Sequence, residues 1–84
     1  MWVVYILQCI DETLYTGITN NLEKRIKQHN SNKGAKYTRG RGPVKLVFFT
    51  SVDDKSQAAK EEYRIKKLSK EKKLEMIKNK NLFS

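Results

Sequence analysis

Two tyrosines, an arginine, a histidine and a glutamate are spaced so that they could serve one reaction. Tyr5 and Tyr15 lie in two short apolar runs separated by a polar turn, and Arg25 and His29 are four residues apart on a predicted helix. Glu62 falls between apolar positions of a later predicted helix. A guanidinium suits phosphoryl oxygens, a carboxylate suits a hard divalent cation, and a phenol or an imidazole can move a proton. These are the groups that phosphodiester cleavage requires.

Each of these groups also has an ordinary structural explanation. The two tyrosines could be core residues of a β-hairpin, with only their hydroxyls at the surface. Arg25 and His29 could lie at the rim of the helix interface with only their stems buried. Glu62, or its neighbour Glu61, could pair with Arg25, because an acid directed towards a core must be paired or bound to a metal. The residues alone leave these alternatives open.

The strands that must carry the tyrosines follow from residue type and alternation. Runs of β-branched and aromatic residues predict strands over residues 2–10, 13–16 and 45–52, the first two forming a hairpin. Gly17 is expected to end the second strand at a place where a Cβ is unwelcome.

The helices are predicted from capping residues and apolar spacing. Asn20 and Glu23 have the spacing of a capping box, which predicts a helix over residues 21–30. Leu22 and Ile26 would pack on the hairpin and bring Arg25 and His29 to the same side, with polar residues such as Gln28 pointing outward. An aspartate cap at residue 53 or 54 predicts a second helix to about residue 68, and Ser69 would begin a third. All five candidate residues are expected to converge on one face of the sheet.

The length and composition indicate one soluble domain. The chain has 84 residues, which allows a single core, and we assign residues 1–80 to one domain and residues 81–84 to a tail. Cys9 is the only cysteine and lies in an apolar strand, so we expect a buried thiol in a reducing compartment and no disulfide. No signal peptide or membrane-spanning run is present, which favours a cytoplasmic protein with no membrane partner.

The positive charge is unevenly distributed. The net charge is +9, and residues 1–20 contain no lysine or arginine. Residues 21–52 contain eight bases and one acid, and residues 53–84 contain ten bases and six acids. Such a field attracts polyanions, with nucleic acid the leading candidate. The alternative is a lysine-rich surface that only keeps a small protein in solution.

The segment 30–43 is a predicted loop that suits a phosphate backbone. It holds three of the four glycines, the only proline and four bases. Glycines allow a close approach of the main chain, and an aromatic ring among bases can stack on a nucleobase. The candidate nucleic-acid-binding residues are therefore Lys36, Tyr37, Arg39 and Arg41. A plain flexible connection is the alternative.

The joint pattern resembles the GIY-YIG nuclease superfamily. Val4-Tyr5-Ile6 and Tyr15-Thr16-Gly17 resemble its two motifs, although the opening glycine is missing and Thr16 replaces an isoleucine. Residues 19–29 resemble its first helix with its arginine, and residues 34–39 and 62–69 resemble the small single-domain bacterial UPF0213 branch. The resemblance covers nearly the whole chain and implies an α+β fold, with a three-stranded antiparallel sheet flanked by helices.

The resemblance also implies a function and assigns roles. It implies a DNA endonuclease that uses one divalent cation, Mg²⁺ or Mn²⁺, possible substrates being structured or single-stranded DNA in repair or processing. Tyr15 would activate water, Tyr5 would orient it, Arg25 would bind the scissile phosphate, and His29 would assist proton transfer or bind phosphate. Glu62, preferred over Glu61 by this resemblance, would bind the metal.

Three further expectations accompany the resemblance. A site asparagine near the C-terminus of many family members could correspond to Asn79 or Asn81, between which spacing does not choose. Nucleases of this class usually take their substrate choice from an appended domain or a partner protein, so an unidentified protein partner is expected. The competing function is a non-catalytic nucleic-acid-binding module on the same fold.

Overall fold

A computed structural model describes residues 1–31 and 42–80 of the chain. In chain order the elements are strand β1 (Trp2–Gln8), strand β2 (Leu14–Thr19), helix α1 (Leu22–Asn30), strand β3 (Lys45–Val52), helix α2 (Lys55–Lys66) and helix α3 (Lys70–Lys80). The predicted α+β fold, a three-stranded antiparallel sheet flanked by helices, is confirmed. Within the described ranges, no helix has the length and apolar character needed to cross a membrane.

Some predictions fall on residues outside the described ranges. The candidate nucleic-acid-binding residues Lys36, Tyr37, Arg39 and Arg41 belong to that part of the chain, as do Asn81 and the tail 81–84. Their assignments stay predictions.

Strand β1 is the centre of the sheet, and the strand order is β2-β1-β3. The register opposes Tyr5 to Gly17 and Leu7 to Tyr15 across the β1–β2 pair. Because successive side chains of a strand point to opposite faces, Tyr5 and Tyr15 lie on one face of the sheet and the residues between them on the other. Strand β2 is left as an edge of this sheet.

One face of the sheet, here called the aliphatic face, is covered by α2. Its buried cluster consists of Val4, Ile6, Phe48, Ala58 and Ile65. Ala58 and Ile65 are seven residues apart on α2, so they lie on the same side of that helix. A bulge between Ile6 and its next neighbour on β1 shifts the register with β3, which accounts for the weak alternation of the third strand.

The opposite face, here called the aromatic face, is covered by α1. Its buried cluster includes Tyr5, Leu7 and Cys9, against which Leu22 and Ile26 of α1 pack. The prediction that Leu22 and Ile26 pack on the hairpin is confirmed. Cys9 is a free buried cysteine, as expected.

The predicted end of the second strand was wrong. Strand β2 continues through Gly17 to Thr19, and Ile18 and Thr19 pair with Val4 and Val3 of β1. Both added residues are β-branched, a type that favours extended backbone. Gly17 therefore lies inside the strand, opposite Tyr5.

The start of α1 also differs from the prediction. The N-cap is Asn21, whose side-chain oxygen accepts a hydrogen bond from the backbone N–H of Lys24 at 3.2 Å. The proposed capping box of Asn20 and Glu23 was wrong by one residue. Because the cap is Asn21, the third helical position is Lys24, and a lysine has no acceptor to complete such a box.

The caps of the two later helices agree with the prediction. Asp54 caps α2 and accepts from the backbone N–H of Gln57 at 2.8 Å. The Ser69 hydroxyl accepts from the backbone N–H of Lys72 at 3.2 Å at the start of α3. Helix α2 itself ends at Lys66, two residues earlier than predicted.

Candidate active site

A buried hydrogen bond joins the central strand to α1. Tyr5 Oη lies 3.1 Å from His29 Nε2, and neither residue has any exposed surface. His29 reaches this position because it is seven residues after Leu22 and shares its side of the helix. The prediction that His29 faces the hairpin is confirmed, and a rim position is excluded by its complete burial.

Tyr15 completes an aromatic cluster with this pair. Its ring centroid is 5.3 Å from that of His29 and 6.4 Å from that of Tyr5. Unlike Tyr5 and His29, Tyr15 is only half-buried. Of the two tyrosines, Tyr15 is the one that a molecule from solution can reach.

Gly17 makes room for the Tyr5 phenol. A Cβ built on Gly17 would lie 2.6 Å from Tyr5 Oη and 3.0 Å from a ring carbon of Tyr15. Contacts that short do not occur between a Cβ and a rigid neighbour, so the aromatic cluster can form as it does only over a glycine. The expectation that a Cβ is unwelcome at this residue is confirmed, with the Tyr5 ring as its cause.

The environment keeps both hydrogen-bonded groups neutral. Burial raises the pKa of Tyr5, the interaction with Arg25 opposes this rise, and the nearby Tyr15 and Glu62 reinforce it. Burial, with a smaller contribution from the Arg25 charge, lowers the pKa of His29 to about 4. At neutral pH the bond therefore joins a protonated phenol to a neutral imidazole.

Arg25 lies beside this cluster with its guanidinium partly exposed. Its Nη1 donates a hydrogen bond to Gln28 Oε1 at 3.0 Å. Both residues border an open cavity of about 320 Å³, which is also lined by Trp2 and Lys24. Gln28 was predicted to point outward, but it is partly buried and hydrogen-bonded to Arg25. A residue three positions after Arg25 lies beside it on the helix.

Glu62 approaches the cluster from the other side of the sheet. It lies on α2, which packs on the aliphatic face, and its charge nevertheless acts on the Tyr5 hydroxyl. The expected convergence on one face was therefore wrong for Glu62. The physical reason is that Ala58 and Ile65 hold α2 on the aliphatic face, from which Glu62 influences the site.

The two candidate glutamates have different partners. Glu62 Oε2 lies 3.4 Å from Lys66 Nζ, and Glu61 Oε1 accepts from Arg64 Nε at 2.9 Å. Both are ion pairs within α2, and the described residues contain no pair between either glutamate and Arg25. Only Glu62 contributes to the electrostatics of Tyr5, which favours it over Glu61 as the site carboxylate.

Comparison with known proteins agrees with this geometry. The GIY-YIG catalytic domain family matches residues 1–75. The chain belongs to this family. A UPF0213 protein of Clostridium perfringens is 62% identical over 79 residues, which are 94% of this chain and 85% of that protein. A UPF0213 protein of Oceanobacillus iheyensis is 55% identical over 74 residues, covering 88% of this chain and 86% of that protein.

A solved GIY-YIG relative has the same fold. The solution NMR structure of a UPF0213 protein from Bacillus halodurans superposes with a TM-score of 0.64 at 46% identity. The superposition covers 99% of this chain and 89% of that one. The predicted membership of the UPF0213 branch is thus confirmed by sequence and by structure.

The donor set of this GIY-YIG site fits one hard cation with water ligands. Glu62 supplies a carboxylate whose side chain is 24% exposed. The described part of the chain contains no group of three or more histidine, cysteine or acidic residues that could enclose a metal. Hard divalent cations commonly occupy sites of this kind, in which one or two carboxylates are joined by several waters and by substrate phosphates.

Two residues beside the site were not predicted from the sequence to belong to it. One is Gln28, whose spacing from Arg25 was a usable signal. The other is Thr16, which is 3% exposed and whose hydroxyl has no hydrogen-bond partner among the described residues. The sequence marked Thr16 only as a departure from the family motif, because a threonine in a strand is ordinary.

Proposed function

We propose that this protein is a divalent-metal-dependent endonuclease that hydrolyses phosphodiester bonds in DNA. The observation that carries the proposal is the buried Tyr5–His29 hydrogen bond, with Tyr15 against it and with the charges of Arg25 and Glu62 acting on it. Burying a phenol and an imidazole side by side requires a partner for each and contributes less to a core than two aliphatic residues would. Membership of the GIY-YIG family supports a nuclease.

Arg25 is assigned to the scissile phosphate. Its guanidinium is partly exposed and borders an open cavity, so phosphoryl oxygens can reach it. The hydrogen bond that Arg25 donates to Gln28 Oε1 fixes the side chain before the substrate arrives. A preorganised guanidinium offsets the charge that develops on the phosphoryl oxygens without reorganising during the reaction.

Tyr15 is assigned to the attacking water, and Tyr5 and His29 are assigned to positioning it. Tyr15 is reachable from solution, whereas Tyr5 and His29 are fully buried. A pKa of about 4 makes His29 a weak base, so its role is to orient the Tyr5 hydroxyl and support the Tyr15 ring. Of the two roles that the resemblance implies for His29, this arrangement disfavours direct phosphate binding.

Glu62 is assigned to the metal. A divalent cation held there, together with water and phosphate oxygens, offsets the charge on the phosphate and on the leaving oxygen. Glu62 reaches this position from α2, and the influence of its charge on Tyr5 supports a location close to the reacting groups.

The test is a cleavage assay on single-stranded, duplex, flap and four-way DNA with Mg²⁺ or Mn²⁺. The wild type is expected to cut at least one of these substrates. Glu62→Gln should lower the rate at least about a hundredfold, since a bound cation contributes several kcal/mol and each 1.4 kcal/mol is tenfold.

Glu61→Gln is the matched control, because it removes the same charge from the adjacent residue of α2. It should keep near-wild-type activity. If the wild type binds DNA and cuts none of the substrates, the enzyme assignment fails and the non-catalytic binding module takes its place. Equal losses in both variants would contradict the assignment of Glu62.

A further inference from the structure

Along the outer edge of β2 runs a groove that the assigned active-site roles leave unused. A cavity of about 330 Å³ is lined by Leu14, Tyr15, Thr16, Lys66 and Lys73. A second cavity of about 190 Å³ adjoins it, since Leu14 and Lys73 line both, and it is bordered by Lys70 as well. We call the two together the edge groove. It connects Tyr15 with the helices that cover the aliphatic face.

The side chains of the edge groove are strongly basic. Lys66, Lys70 and Lys73 come from the end of α2 and the first half of α3. Lys66 is paired with Glu62, whereas Lys70 and Lys73 form no ion pair within the described residues. Two uncompensated ammonium groups in one concave surface form a site for an anion.

Thr16, one of the residues that line the edge groove, has a buried side-chain hydroxyl. Thr16 is 3% exposed, and its Oγ1 has no hydrogen-bond partner among the described residues. A buried polar atom without a partner is costly, and a ligand oxygen or a water molecule in the adjoining cavity would supply one. The hydroxyl can donate a hydrogen bond to an anionic oxygen.

The edge of the sheet contributes to the same surface. Among the described strands, β2 pairs only with β1, so its other side presents backbone groups that none of these strands occupies. An edge with lysines beside it is protected from pairing with another strand. The same lysines make it a surface for a chain of phosphates rather than for a peptide strand.

We propose that the edge groove binds the phosphodiester backbone of the DNA strand that flanks the cleaved bond. Lys70 and Lys73 contact successive phosphates, and the Thr16 hydroxyl donates to the phosphate nearest Tyr15. This inference rests on the proposed function for the identity of the ligand. It explains how one strand passes between Tyr15, on the aromatic face, and Glu62, on the helix of the aliphatic face.

The first test is the salt dependence of DNA binding, measured by fluorescence anisotropy with a short labelled duplex in EDTA, where no cleavage occurs. Each lysine that contacts a phosphate adds about 0.9 to the slope of log K against log salt. The double variant Lys70→Gln/Lys73→Gln should therefore flatten the slope by about 1.8.

The matched control is Lys60→Gln/Lys78→Gln, which removes the same charge from exposed residues of α2 and α3 that do not line the edge groove. It should change the slope far less. Equal changes in the two double variants would overturn the edge groove, since they would show a general attraction by the whole charged surface. If Lys70→Gln/Lys73→Gln keeps the wild-type salt slope while the wild type cleaves DNA, the edge groove is overturned and the nuclease proposal stands. If the wild type cleaves no DNA but the double variant flattens the slope, the nuclease proposal fails and the groove still binds DNA.

The second test uses Thr16, because its variants should move binding and stability in opposite directions. Thr16→Val should weaken DNA binding about tenfold or more, as a hydrogen bond to a charged group is lost. It should also raise Tm, since the unpaired hydroxyl is replaced by a methyl of similar shape. Thr16→Ser, which keeps the hydroxyl, should retain binding. Unchanged binding in Thr16→Val would exclude the hydroxyl from the phosphate site.

Discussion

The two faces of the sheet use the same strand for different purposes. On the aliphatic face, β1 contributes Val4 and Ile6 to a cluster of apolar side chains. On the aromatic face, the alternating residue Tyr5 is just as deeply buried but is hydrogen-bonded to a histidine. Neighbouring residues of one strand thus point into two cores, one of apolar side chains and one that contains a buried, hydrogen-bonded tyrosine and histidine.

The division between the two faces explains how so small a chain can bury a tyrosine and a histidine. A domain of 84 residues has a small core, and every polar group placed in it lowers the stability available. The aliphatic face supplies the apolar burial, and the aromatic face uses part of the resulting stability. Substitutions in the apolar cluster of the aliphatic face should therefore act on stability, and those on the aromatic face on stability and function together.

The largest expected effect is on the aliphatic face. Ile65 is fully buried between α2 and the sheet, so Ile65→Ala should lower the free energy of unfolding by about 2–5 kcal/mol. Urea denaturation measures this loss. Ile65→Val removes a single methylene and should cost about 0.5–1.5 kcal/mol. A loss in Ile65→Ala no larger than that of Ile65→Val would contradict the view that this face supplies the stability.

The aliphatic face was the easier one to predict from the sequence. Apolar residues at helical and strand spacing determine which sides of α2 and β1 are buried, and the apolar positions predicted on either side of Glu62 are the buried residues Ala58 and Ile65. The pattern could not show that Glu62 belongs to a helix on the opposite side of the sheet from the tyrosines. Periodicity gives the side of a helix that packs, but not the face of the sheet on which the helix lies.

For the aromatic face, the sequence identified the residues of the cluster but not how they are buried and packed. Spacing brought Arg25 and His29 to the side of the hairpin, and the family resemblance named both tyrosines. The complete burial of His29 and the close fit of Gly17 under Tyr5 depend on tertiary contacts. The cap of α1 at Asn21 was missed because three successive capping residues precede the helix and local spacing fitted Asn20 as well.

The second effect is a pH dependence that only the aromatic face should show. The pKa of His29 is lowered to about 4 in the fold from 6.5 in a model peptide, so the unfolded chain binds more protons between these values. Stability therefore rises with pH across this window. It is fully present above about pH 6.5 and is lost as the pH falls towards 4. The loss should reach about 3 kcal/mol.

His29 is the only histidine, so a single variant isolates its contribution. Urea denaturation from pH 7.5 to pH 4 should give a steeper loss of stability in the wild type than in His29→Gln, whose amide can still hydrogen-bond to Tyr5. Aspartates and glutamates titrate in both proteins and cancel in the difference. Parallel curves would show that the imidazole is not held neutral by burial.

The smallest expected effect concerns the close contact between Gly17 and the Tyr5 ring on the aromatic face. In Gly17→Ala, the new Cβ would lie 2.6 Å from Tyr5 Oη, so the buried phenol must move away. Overpacking of this kind costs about 1–3 kcal/mol, whereas replacing glycine by alanine inside a strand gains about 0.5–1 kcal/mol. The net result should be a modest loss of stability, measured by urea denaturation.

Gly42→Ala provides the control for this substitution, because a Cβ on Gly42 meets no atom within 4 Å. It should change the free energy of unfolding by no more than about 0.5 kcal/mol. The two alanine variants should also differ at His29: displacement of Tyr5 in Gly17→Ala loosens the burial that lowers the imidazole pKa, so an NMR titration should find this pKa closer to 6.5. A wild-type titration in Gly17→Ala would show that strand β2 moves instead of Tyr5, and that the aromatic face keeps its geometry without the glycine.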